Sequence, residues 1–288
     1  MRRLCIALLT VVAVACGGSP TTPPPPPPIV DPPANTKPAI DGIAVKGRRA
    51  GQPANFADLK EVLDVTATVR DPETPLDELI YQWSATAGTI TGTGRNVTWT
   101  APDTATTPVV VTITLKVVEN YGHPGQAKIF SQDVSGTTTV ALHDSAREVG
   151  DMSVRFLTEF SKPQTNKDWQ DIMRDFNGAR CPNPGLTDAE RSDVINHYTN
   201  FFMHTYNIAA PTVRIAFGEG CAFRDRPGDA CAIVSVLWDS TDLRTNSRGQ
   251  ASGLDHIAAA YSSTDRRWWL CSSDFETQTD RWTFYSDR

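Results

Sequence analysis

From Val65 to Leu142 the apolar side chains recur at every second position. Val65, Ala67 and Val69 alternate with polar neighbours, as do Leu79, Tyr81 and Trp83, then Val97 and Trp99, then Val109 to Val117, then Thr138, Val140 and Leu142. A period of two puts one set of side chains on one face of a strand. Turn signals separate the runs: Asp71-Pro72-Glu73-Thr74-Pro75, Gly92-Thr93-Gly94, Ala101-Pro102-Asp103 and Gly122-His123-Pro124-Gly125. Short strands at this spacing predict an antiparallel sandwich over residues 39–143.

At Asp144 the period changes to 3.6. Ser145-x-x-Glu148 reads as a capping box, after which Val149, Met152, Phe156 and Phe160 share one helix face. Trp169, Ile172, Met173 and Phe176 form a second stripe. Thr187-x-x-Glu190 opens a third helix whose Val194, Ile195, Tyr198, Phe201, Phe202 and Tyr206 make a broad apolar face up to Pro211. Beyond it, Val213 to Phe217, Ala232 to Trp238, Leu254 to Tyr261, Arg267 to Ser272 and Trp282 to Tyr285 read as strands. Helices followed by a strand meander predict an α+β domain over 144–288, with helices packed on an antiparallel sheet. In element order alone it resembles the cone-shaped nuclear transport factor 2 and cystatin folds.

The start of the chain has another pattern. Arg2 and Arg3 precede an apolar run from Leu4 to Ala15, too short to span a bilayer, with small residues at its end. Ala13-Val14-Ala15-Cys16-Gly17 resembles the lipobox of bacterial lipoproteins, which implies cleavage after residue 15 and lipidation of Cys16. The resemblance implies a cell-envelope protein attached to the membrane through Cys16, and Gly17 in place of Asp favours the outer membrane. More than one acyl chain is enough for stable anchoring. Residues 16–38 then form a linker with six consecutive prolines, Pro23 to Pro28. Proline locks φ and removes an amide donor, so this segment reads as an extended stalk.

Within the sandwich, Val69-Arg70-Asp71-Pro72, Leu79-Ile80-Tyr81-Gln82-Trp83, Gly88-Thr89-Ile90 and Val97-Thr98-Trp99-Thr100-Ala101-Pro102 resemble PKD and related immunoglobulin-like domains. That resemblance implies a spacer, an adhesion module or a carbohydrate-contacting accessory. Ser84-Ala85-Thr86-Ala87-Gly88 departs from the Phe-Gly-Asp-Gly continuation found after the tryptophan in that family.

Composition adds two constraints. Without Arg2 and Arg3, 25 basic side chains face 33 acidic ones, a balance that opposes nucleic-acid binding. Besides the acylated Cys16, the exported chain has four cysteines, Cys181, Cys221, Cys231 and Cys271, and an even number outside the cytosol argues for two disulfides. Three pairings exist. Cys221 with Cys231 and Cys181 with Cys271 is the preferred one, since the first closes the polar loop Arg224 to Asp229. Zinc is the competing use, but no C-x-x-C pair is present.

Candidate chemistry is sparse. Asp255 and His256 are adjacent on a strand and so point to opposite faces, which prevents a dyad, although either can face a pocket. His197 and His204 lie seven residues apart, roughly 10.5 Å along a helix, too far to share an ion. Asp71, Glu73, Asp77 and Glu78 crowd one loop and read as a solvated acidic turn in preference to a calcium site. Arg266, Arg267, Trp268 and Trp269 fit either a sugar-stacking surface or a hairpin turn followed by core tryptophan. No common catalytic motif occurs, and no metal or cofactor is expected. The expected function is display of the terminal domain to bind a small molecule, a glycan or an envelope partner. The alternatives are an envelope enzyme and a structural assembly subunit.

Overall fold

The computed structural model describes residues 31–160, 174–176, 181, 196, 200, 202–277 and 283–285. Cys16, the polyproline run, the stripe from Trp169 to Met173 and His197 lie outside the described residues.

Two four-stranded sheets form the first region. One has the order β1-β3-β6-β5, from β1 (Ala39–Lys46), β3 (Val62–Arg70), β6 (Asn96–Thr100) and β5 (Thr89–Thr91). The other has the order β2-β8-β7-β4, from β2 (Phe56–Asp58), β8 (Ile129–His143), β7 (Val109–Gly122) and β4 (Ile80–Ala85). Alternation gives the reason for the packing. Leu63, Val65, Ala67 and Val69 are buried while Asp64, Thr66, Thr68 and Arg70 are exposed. They meet Val111, Ile113, Leu115 and Val117 of β7 across the gap, with Trp99 fully buried between the sheets. The Trp99 indole N–H donates to the Ala87 carbonyl (2.9 Å), so its one polar group is satisfied.

The long β7–β8 hairpin sets the polarity of this region. Its turn lies at one end, where β4 no longer pairs beyond Val118. At the other end β8 stops at His143, and α1 (Ser145–Phe160) begins.

The second region is one antiparallel sheet. Its main order is β10-β11-β12-β13, from β10 (Thr212–Ile215), β11 (Ala230–Asp242), β12 (Arg248–Ser262) and β13 (Arg267–Thr277). β9 (Phe202–Ile208) pairs with the far half of β11, and β14 (Thr283–Tyr285) pairs with β12. The inner face carries Ala232, Val234, Val236, Ile257, Tyr261 and Leu270, which pack on Val149, Met152, Phe156 and Leu157 of α1. Phe56 of the sandwich completes that core: its ring is fully buried, 4.6 Å from the Tyr261 ring and 5.2 Å from the Phe217 ring.

This overturns the expected α+β class for the terminal domain. Among the described residues α1 is the one α-helix given over its length, and strands dominate both regions. The predicted third helix is helical at Asn196 and Asn200, but from Phe202 the chain is a strand. Met203 to Ile208 lie opposite Thr241 to Val236, because β11 runs past the end of β10 and leaves backbone donors and acceptors that need a partner. Apolar residues at 202, 206 and 208 suit either period, and sheet pairing decides between them.

The cap of α1 is also displaced. Asp144, one residue earlier than expected, accepts from Arg147 N (3.4 Å), and the Glu148 carboxylate accepts from Asp144 N (3.1 Å). Ser145 is drawn away: its hydroxyl donates to Asp58 of the sandwich and accepts from the Trp268 indole N–H (3.2 Å).

Candidate functional site

Strand β11 alternates strictly at its centre, with Ala232, Val234 and Val236 inward and Ile233, Ser235 and Leu237 outward. The outward set belongs to a sheet face that stays open: Ile233 is 37% exposed and Leu237 40%. On β12 the same alternation separates the two candidate residues. His256, opposite Ile233, shares the outer face, and Asp255, opposite Val234, shares the inner one.

Asp255 is 5% exposed, and its carboxylate accepts from the Ser273 hydroxyl at 2.8 and 3.0 Å. Burial pushes its pKa up to about 6; the Ser273 hydrogen bond pulls the other way and the nearby Asp274 charge adds to the rise.

His256 lines a depression of about 290 Å³ together with Thr212, Arg214, Ala222, Phe223, Cys231 and Ile233. Its ring stacks on Phe223 (4.3 Å between centroids, 18° between planes), and Nε2 lies 2.9 Å from Glu276. Phe223 is delivered by a constrained loop. Cys221 and Cys231 form a disulfide, Cys221 N donates to the Arg226 carbonyl (2.8 Å), and the Arg226 guanidinium grips Asp274 with two bonds of 2.7 and 3.0 Å. Gly220 is required where the loop doubles back: at φ +65 a Cβ there would lie 2.3 Å from the Arg226 carbonyl oxygen. Arg224 and Asp225 follow Phe223 with φ of 55° and 48°, a strain of order 1 kcal/mol each that the disulfide and the Asp274 grip sustain.

Both disulfides have the preferred pairing, Cys221 with Cys231 and Cys181 with Cys271. They cluster with Ala258 and Ala260 and cover the outer face at that end, so the open part begins at Ile233. The four thiols are therefore committed to sulfur bonds. Among the described residues no group of three His, Cys, Asp or Glu side chains is placed to hold a metal ion.

A second cluster has the elements of a proton relay but none of the access. His143 is fully buried between Glu148 (Nδ1, 2.8 Å) and the Tyr261 hydroxyl (Nε2, 3.2 Å), with Phe56 stacked at 5.1 Å. Burial raises Tyr261 to about 12, keeping its proton on. For Glu148 burial acts upward, but the His143 hydrogen bond and charge outweigh it and hold the carboxyl below its usual range. Nearby, Arg49 pairs with Asp58 (2.9 Å) and Glu61 (2.9 Å) and covers the Phe56 and Phe217 rings. The cluster joins the two regions, with the His143 side chain fully buried at its centre.

The remaining sequence candidates resolve as follows. In the acidic loop, Asp71 accepts from the backbone N–H groups of Glu73 (3.0 Å) and Thr74 (2.7 Å), a local turn. Trp268 is buried in the shared core, whereas Trp269 lies under the Arg267 guanidinium (4.0 Å) and donates to Asp265 (3.1 Å). His204 lies on β9, opposite Ser240. Phe223 falls just before the polar loop read from the sequence, and nothing in its local pattern marks it as a partner for His256.

Comparison with protein-family models, with curated proteins and with solved structures returned no match. The site therefore rests on its own geometry: an open, partly apolar sheet face bounded by a rigid loop.

Proposed function

We propose that this is a lipid-anchored envelope protein in which the sandwich holds the second sheet away from the membrane so that its outer face can receive a ligand. One observation carries the reading: the chain enters and leaves the sandwich at opposite ends. Before β1 it runs along the hairpin, with Thr36 donating to Glu73 (2.7 Å), Asn35 to Glu119 (2.8 Å) and the His123 ring to the Asp31 carbonyl (2.8 Å) at the turn. The second sheet attaches beyond His143, at the far end of the 15-residue β8, roughly 50 Å away at the rise of an extended strand.

Three neutral donors hold the Glu119 carboxylate, and one of them, Asn35, belongs to the entering chain. Burial raises the Glu119 pKa, but donation from Gln132, Thr74 and Asn35 outweighs it, so the carboxylate stays charged and keeps residue 35 in place.

The placement of Asp255 and His256 on opposite sheet faces gives a catalytic reading less support than a binding one. The membrane reading is tested by metabolic labelling with palmitate in a bacterial host that processes lipoproteins. The parent chain should carry label and partition with membranes, and Cys16→Ser should lose both. A parent chain that takes up no label and fractionates as soluble protein would refute the anchor.

A further inference from the structure

The outer face continues past Ile233 and Leu237 to the turn between β11 and β12, and its chemistry changes there. Two arginines flank the turn. Arg244 is engaged, with Nε and Nη2 on the Asp242 carboxylate at 3.1 and 2.9 Å, a grip that holds Asp242 down at about 2. Arg248 is exposed and, among the described residues, its guanidinium has no hydrogen-bond or ion-pair partner. Sheet register sets its neighbours. Thr241 lies directly opposite on β11; one step along the same face Gln250 lies opposite Asp239, which in turn lies opposite Thr205 of β9. Gln250 Nε2 donates to Asp239 Oδ1 (2.9 Å), fixing both groups. These side chains line a cleft of about 450 Å³, within the roughly 300–1,000 Å³ usual for small-ligand sites.

We propose that this cleft binds an acidic saccharide, a sugar unit with one carboxylate and several hydroxyls. The inference rests on the outer face being the ligand surface and goes further by naming the ligand class. The planar guanidinium of Arg248 matches a carboxylate with two parallel N–H donors. Asp239 supplies acceptors, the Gln250 amide supplies both functions, and the hydroxyls of Thr205 and Thr241 donate or accept, the mixture that neighbouring sugar hydroxyls require. A phosphate is disfavoured because its second charge would face the Asp239 carboxylate. A neutral sugar leaves the Arg248 fork without a counter-charge.

The test is titration calorimetry of the folded protein without its lipid, using an oligogalacturonate and the same oligosaccharide with its carboxyls reduced to alcohols. The acidic form should bind, and the reduced form at least tenfold more weakly. Arg248→Gln should lower affinity for the acidic form at least tenfold. Arg248→Lys, which keeps the charge and loses the fork, should lower it several-fold. Arg70→Gln removes one positive charge from the sandwich surface and should leave binding unchanged. Equal binding of both oligosaccharides, or equal losses with Arg248→Gln and Arg70→Gln, overturns the proposal. So does failure of the acidic form to bind. The outer-face reading would survive that last result if a glycan array returned another ligand whose binding is lost in Ile233→Ser or Leu237→Ser.

Discussion

The two regions solve the same problem differently. The sandwich covers each sheet with the other, so its alternating side chains are accounted for by two buried clusters between the sheets, and it contains no cysteine. The second region has a single sheet. Its inner face is covered by α1 and by Phe56 from the sandwich, and its outer face is left to two disulfides at one end and to solvent along the rest. A sheet with one uncovered face has less burial to stabilise it, and cross-links offset that deficit. The uncovered face is also where a ligand can be read by side chains that folding does not require.

Three measurements can break or sharpen this contrast. The largest effect should come from replacing both Cys181 and Cys271 by Ser. That bond spans a sequence separation of 90, for which chain-entropy reasoning gives about 4.6 kcal/mol, against about 2.7 for the 10-residue separation of Cys221 and Cys231. Thermal unfolding should show the larger loss for the longer loop. Equal losses would mean that the cross-links do not act through the unfolded chain.

Next is Phe56→Ala. Truncating a fully buried phenylalanine costs roughly 3–5 kcal/mol. Because its ring belongs to the core under the second sheet, the loss should appear in that sheet as well as in the sandwich. Hydrogen exchange resolved along the chain separates the outcomes: unchanged protection of β11 and β12 would show that the regions fold independently.

The smallest of the three concerns Asp255. A carboxylate whose pKa is higher in the fold than in the unfolded chain binds its proton more tightly when folded. Its contribution to stability is therefore full below about pH 4 and is lost as pH rises through about 6. Asp255→Asn should remove that loss and gain up to about 3 kcal/mol at neutral pH. Urea titrations at pH 4 and pH 7 test it. A variant with the same pH dependence as the parent would place the titration elsewhere.

Much of the sandwich was legible because its strands announce themselves one at a time: the alternation of Val65, Ala67 and Val69 needs no knowledge of what lies opposite. The first helix was legible for the same reason, although its cap was not. Asp144 and Ser145 are both competent caps, and only the proximity of Asp58 and Trp268 removes Ser145 from the role. Of the candidate site, His256 was visible as an ionisable group on a strand. Phe223 and Arg248 were not, since one acquires its partner through a loop and the other stands out by lacking one among the described residues.

What the sequence determined alone is which side of each strand is apolar, because a strand's side chains alternate whatever its neighbours are. Tertiary structure decided the rest: that residues 202–208 are a strand, because β11 presented unpaired backbone groups that only an extended segment could satisfy, and which apolar face would stay open. Backbone hydrogen bonds between strands and the covering of one layer by another depend on residues far apart in the chain, and no local pattern encodes them.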